Sequence, residues 1–239
     1  YCVAWRFASP KGYDLGRRLF IRAPCRSTIA KYVACPSIGI TQLIRQRLSV
    51  EAAKYQDPKE RLVSLIVDEM AIKERMYYSR SEDKFYGVEN TDNQSFIGTR
   101  TQIANKLLCF VIHGFYRKFT IPVAYFFSRG TSGKQLYEMT MCILQEVTNC
   151  GFNIIRLIGD NHKSNVALFR HFGNGSLKTS IPHPVVDGLQ FFMSFDYCHA
   201  IKNARNIFLS RNMADNNGII SSIYLKNIYN IQKDISQSQ

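Results

Sequence analysis

Two aspartates stand where apolar runs stop. Asp68 follows Leu62-Val63-Ser64-Leu65-Ile66-Val67, and Asp160 follows the run from Ile154 through Gly159. Short branched runs of this kind suit buried strands. A lone carboxylate on a buried strand is costly unless it is paired, hydrogen-bonded or metal-bound. If the two strands are neighbours, the pair offers hard oxygen ligands to Mg²⁺ or Mn²⁺ ions that also touch phosphate oxygens. One ion would activate a water or a 3′-hydroxyl, and the other would stabilise the leaving oxygen. Spacing alone leaves a structural role open, because Asp160 is also well placed to cap the helix after it.

Weaker candidates surround these two. Cys198 and His199 lie close to Asp196, but a helix-borne histidine that packs or touches DNA is the simpler reading. His162 follows Asp160 and reads as an exposed residue at a helix start, although it is near enough to tune a metal-bound water. His183, between Pro182 and Pro184, reads as a loop residue. Gly130-Thr131-Ser132-Gly133 has the flavour of a phosphate loop, but it lacks the required spacing and reads as a strand-to-helix turn. Lys202, Arg205 and Arg211 are spaced to put basic groups on one helix near phosphate; solvated surface charge is the alternative.

The elements that position these residues follow from periodicity. Extended segments are expected at 62–67, 71–78, 84–88, 106–113 and 120–128. A helix is expected over 134–148, with Leu136, Met139, Ile143, Leu144 and Val147 at helical spacing and Gly151 as its stop. A strand over 154–158, a helix over 163–171, a strand over 189–195 and a helix over 198–209 complete the order. This is a mixed α/β pattern with carboxylates at strand carboxyl ends, the edge where sites collect in such sheets. Before residue 61, Ser27 is expected to cap a short helix through Tyr32. Thr41 is expected to cap another through Lys54, with Leu43, Ile44, Leu48 and Ala52 on one side.

Charge points to a polyanion. The 239 residues hold 31 Lys and Arg against 18 Asp and Glu, a net charge of +13. Residues 1–61 hold twelve of the basic residues and four of the acidic ones. Such clustering favours phosphate contact. The seven cysteines include no Cys-x-x-Cys pair, which argues against a disulfide framework and a zinc finger. No apolar run is long enough to span a bilayer, so no membrane role is expected. The chain opens on Tyr1 rather than Met, as a fragment would.

Four stretches then resemble one family. Leu65-Ile66-Val67-Asp68-Glu69-Met70-Ala71-Ile72-Lys73 resembles the first catalytic strand of P-element transposases and the related THAP-domain transposases. Pro122-Val123-Ala124-Tyr125-Phe126-Phe127 is similar to their Pro-x-Ala-Tyr-Phe strand, and Asp160-Asn161-His162-Lys163-Ser164-Asn165 to their second acidic motif. The stretch from Phe195 to Asn206 resembles their Asp-x-x-His-x-x-Lys-Asn-x-Arg-Asn segment, and the basic stretch from Ser9 to Tyr32 resembles the one preceding their catalytic domain.

The resemblance implies a cut-and-paste DNA transposase whose core is an α/β RNase H-like mixed sheet flanked by helices, preceded by a small basic helical segment. It implies a basic helical segment at 1–60, the RNase H-like domain at 61–206, and the start of a GTP-binding insertion domain at 207–239. Asp68 and Asp160 match the first two catalytic metal ligands, for Mg or Mn, and Lys202 matches a nucleotide contact for GTP. The implied partner is DNA, both transposon ends and target, in the nucleus; a homo-oligomer is left open. No residue matches the family's third acidic ligand, and the THAP zinc finger is missing. The chain is therefore expected to be a fragment, a decayed copy or a domesticated remnant. Two readings stand: Mg-dependent strand cleavage and transfer when complete, or a catalytically inactive DNA-binding remnant. An unrelated basic α/β enzyme ranks last.

Overall fold

In its first half, the first long strand buries alternate apolar residues, as expected for a strand that turns one face to a core. This strand is β1, Leu62–Ala71, and its residues Val63, Leu65 and Val67 are sealed from solvent. The computed structural model describes residues 2, 5, 9–19, 21–25, 28, 39–80, 83–89, 102–216 and 218–237. The chain divides into two compact units, Tyr1–Ser37 and Ile38–Gln239.

In the first unit, Pro10–Arg18 forms α1. Ser9 caps it by accepting the Gly12 N–H, and Pro10 supplies the preset backbone angle of a first helical turn. Tyr13 is fully buried; its ring meets Trp5 edge-on at 5.1 Å and its hydroxyl donates to the Pro24 carbonyl at 2.7 Å. Arg17 and Arg18 lie exposed in the last turn, where positive charge complements the helix dipole. Most of the helix expected from Ser27 to Tyr32, the Cys35-Pro36 turn and the basic residues Arg6, Arg26 and Lys31 lie outside the described residues.

The second unit is built on one six-stranded sheet. Its further strands are β4 (Lys106–Gly114), β5 (Thr120–Ser128), β6 (Asn153–Gly159), β7 (Ser180–Pro182) and β8 (Gln190–Phe195). The spatial order is β5-β4-β1-β6-β8-β7. β4 runs antiparallel to both β5 and β1, β6 and β8 run parallel to β1, and β7 turns back against β8. The short hairpin of β2 (Tyr77–Ser79) and β3 (Lys84–Tyr86) stands apart from it. Residues 72–76 interrupt the extended segment expected over 71–78. There the chain leaves the sheet: Ile72 still donates its N–H to the Asn105 carbonyl, while Lys73, Glu74, Arg75 and Met76 are exposed.

Helices α2 (Gln42–Ala52), α3 (Gly133–Asn149) and α4 (Lys163–Phe172) cover one sheet face. Leu136, Ile143, Leu144 and Val147 of α3 meet Leu65, Phe110, Ile154 and Leu157 of the strands in one core. Thr41 caps α2, and Leu48 and Ala52 enter that core with Ile44 packed beside them. Leu43 was expected on the same side but is 72% exposed. Residues 44, 48 and 52 line one face at four-residue spacing, and position 43 is turned about 100° away from them. Arg45 on α2 pairs with Glu146 on α3 at 2.7 Å. The helix α3 ends where expected, at Gly151, whose φ of +95° suits a residue without a Cβ.

Two helices follow β8: α5 (Tyr197–Ser210) and α6 (Ile223–Gln237), separated by the hairpin β9 (Met213–Asp215) and β10 (Gly218–Ile220). They are joined by Lys226, whose ammonium donates to the Leu209 carbonyl at 2.9 Å. Among the described residues no helix is long and apolar enough to cross a membrane.

His183 was expected in a loop; it lies in one, but buried. Its Nε2 faces the Ile154 carbonyl at 2.9 Å, and its Nδ1 accepts the N–H groups of Val185 and Val186. An Nδ1 that accepts fixes the neutral ring with its proton on Nε2. Burial holds its pKa below the ordinary value, opposed by the bond to Ile154. The unfolded chain therefore binds the proton more readily, so this residue's stabilisation is full above about pH 6.5 and is lost as pH falls from there through the lowered folded-state pKa. His183→Ala is expected to flatten the pH dependence of urea unfolding between about pH 7 and 5. An unchanged slope would show that His183 contributes none of it.

Candidate functional site

Strand register brings the two aspartates together. Val67 of β1 stands beside Gly159 of β6, and Gly159 stands beside Phe195 of β8. The next residues on these three parallel strands are Asp68, Asp160 and Asp196. Neighbouring strands lie about 4.8 Å apart. The Asp196 N–H donates to the Gly159 carbonyl at 2.8 Å, which carries the pairing to the end of the strands.

Asp68 and Asp160 line one cleft of about 250 Å³, together with Glu69, Lys106, His162 and Asn165. Asp68 is exposed and directly opposite Cys109 of β4. The Cys109 thiol is pushed up by burial and then by the Asp68 charge. Asp160 is half-buried, and its Oδ1 accepts the His162 N–H at 2.9 Å and the Asn165 side-chain amide at 2.7 Å. The absence of a side chain at Gly159 admits Asn165: a Cβ there would stand 3.0 Å from the Asn165 Cγ. The helix cap of α4 is His162 rather than Asp160.

Sequence reasoning missed Glu69 and Lys106. The Lys106 ammonium meets Glu69 Oε2 at 2.8 Å, and the hydroxyls of Ser128 and Thr131 lie 3.4 and 3.3 Å from Oε1. These partners come from β4, β5 and the turn before α3. The only signal in the sequence was that Glu69 follows Asp68. The Gly130–Gly133 stretch is the expected turn: Ser132 caps α3 in a reciprocal pair with Gln135.

Asp196 does a different job from its two neighbours. It caps α5 by accepting the Cys198 N–H at 2.8 Å. His199 Nδ1 lies 3.5 Å from Asp196 Oδ2 but makes no hydrogen bond. Lys202 is exposed on α5 and does not line the cleft, as are Arg205 and, at the end of that helix, Arg211. Asn203 of α5 donates to Asn161 at 3.0 Å, tying α5 to the segment after β6.

The donor set has the chemistry of part of a divalent-cation site. Two carboxylates on adjacent strand ends, opening on a cleft with room for water, suit Mg²⁺ or Mn²⁺, which bind through one or two carboxylates and keep several waters. They fit as part of a site: among the described residues no group of three His, Cys, Asp or Glu side chains is placed to hold one ion by itself.

The fold agrees with what is similar to this chain. The family of TNP-like RNase H N-terminal domains matches residues 36–173. The Transposable element P transposase of Drosophila melanogaster is 23% identical over 211 residues, covering 87% of this chain and 25% of that protein. The chain thus spans about a quarter of that relative's length. The solved Drosophila P element transposase strand transfer complex superposes with a TM-score of 0.68 at 18% identity, over 96% of this chain and 48% of that one. With β1 central and β4, β5, β6 and β8 around it, the sheet is the RNase H-like one. The chain belongs to the TNP-like RNase H N-terminal domain family and is of the P-element transposase type.

Proposed function

We propose that this chain supplies two of the metal-binding carboxylates of a DNA-cutting and DNA-joining transposase. The observation that carries this reading is the register Val67–Gly159, which sets Asp68 and Asp160 side by side at one cleft. Mg²⁺ or Mn²⁺ bound there would supply an activated water or 3′-hydroxyl and stabilise the leaving oxygen. Asp68 and Asp160 hold the ions, and Asn165 and the His162 N–H orient Asp160. The basic residues of 1–61 and the exposed Lys202, Arg205 and Arg211 follow the DNA backbone, both of the transposon ends and of the target. Lys202 would contact GTP once the rest of an insertion domain surrounds it. The work would take place in the nucleus, where the substrate is, and a homo-oligomer would hold two DNA ends together.

The net charge of +13 supports a second reading equally well, a DNA-binding remnant without chemistry. Mg²⁺- or Mn²⁺-dependent nicking of a supercoiled plasmid by the purified chain separates the two. Nicking that disappears in Asp68→Ala and in Asp160→Ala supports the catalytic reading. Folded chain that binds the plasmid and leaves it intact supports the remnant.

A further inference from the structure

The geometry points to Asn165 as the positioning residue that decides which oxygen Asp160 offers to a cation. This rests on the reading of Asp160 as a metal ligand. Asn165 is 7% exposed, in the first turn of α4, and its amide donates to Asp160 Oδ1 at 2.7 Å. The His162 N–H donates to that same oxygen. With both donors on Oδ1, the carboxylate cannot turn about its Cβ–Cγ bond without losing two hydrogen bonds. Oδ2 is then the oxygen left for a cation, held in one orientation before any ion arrives. Among the described residues Oδ2 receives no hydrogen bond.

The surroundings fix Asn165 in turn. Its carboxamide sits over Gly159, where a methyl group would already crowd Cγ, Nδ2 and Oδ1 at 3.0–3.3 Å. It sits two residues past the start of a helix whose Leu168, Phe169 and Phe172 are core residues, so its backbone does not drift. Strand end, glycine, carboxylate and amide therefore form one interlocked unit. Groups that hydrogen-bond a metal ligand contribute roughly 10–100-fold to affinity.

A purely structural amide would behave differently. It would close the turn between β6 and α4, and its loss would lower the melting temperature while leaving ion affinity alone. The experiment is Mn²⁺ titration followed by electron paramagnetic resonance, on the chain and on Asn165→Ala, Asp160→Ala and the double variant. Thermal melts in EDTA run alongside. Asn165→Ala is expected to weaken Mn²⁺ binding roughly 10-fold or more and to add nothing in the Asp160→Ala background. If Asn165→Ala does not fold, Asn165→Ser is read instead; its shorter side chain cannot span to Asp160, and the same weakening is expected. Unchanged affinity in a folded variant, or an equal loss with Asp160 already gone, overturns the positioning role alone. A wild-type chain that takes up no Mn²⁺ overturns the metal reading of Asp160 as well.

Discussion

Phe110→Ala is expected to lower the free energy of unfolding by about 3–5 kcal/mol. Phe110 is fully buried at the centre of β4, with Val67 of β1 beside it on one side and Ala124 of β5 on the other. Its ring meets Phe126 edge-on at 6.0 Å. Neighbours on both strands are held by sheet hydrogen bonds and cannot collapse into the space, so the cavity remains. Phe110→Leu keeps most of the volume and should cost less than half as much. Urea unfolding of the three proteins measures this. A loss below about 1 kcal/mol for the alanine variant would mean that the site does collapse. Because the cross-strand partner of Phe110 is the residue before Asp68, stability and the carboxylate's placement should fail together.

The second large effect is an asymmetry between the two aspartates. Both alanine variants should end nicking, yet only one should weaken the fold. Asp160→Ala leaves the Asn165 amide and the His162 N–H without their acceptor. Stranding a buried donor costs about 1–3 kcal/mol. Asp68 is exposed, and a surface change of that kind stays within about 0.5 kcal/mol. Denaturant unfolding in EDTA should therefore rank Asp68→Ala close to the wild type and Asp160→Ala clearly below it. The reverse order would show that Asp160 is not anchored as described.

How much of this could be read in advance depended on range. β1, β4, β5 and β6 and helices α3 and α4 were visible because their apolar periodicity runs for seven or more residues. The caps Thr41 and Ser132 and the stop at Gly151 were visible because cap chemistry is local. Asp68 and Asp160 stood out because each ends an apolar run, but only the register showed them adjacent. β7, three residues long, carries no period and was hidden in a loop. β9 and β10 were hidden for the same reason. Glu69 and Lys106 are 37 positions apart, and His183 reaches 29 positions back to Ile154. No spacing rule joins such pairs, because the fold and not the chain makes them neighbours. The burial of Leu48 and Ala52 was also unclear beforehand, since an amphipathic pattern does not say what covers it.

The central place of β1 has a consequence for the growing chain. β1 is among the first strands of the sheet to leave the ribosome, and its edges close at different times. β4 closes one edge once Gly114 is made, and β6 closes the other only at Gly159. At roughly 5–20 residues per second, the Asp68 strand keeps an unpaired edge for a few seconds. A three-stranded antiparallel meander of β1, β4 and β5 is complete once Ser128 is made, with an apolar face that α3 can cover only after Asn149 follows. The strand that carries Asp68 is thus also one exposed to wrong pairing during synthesis.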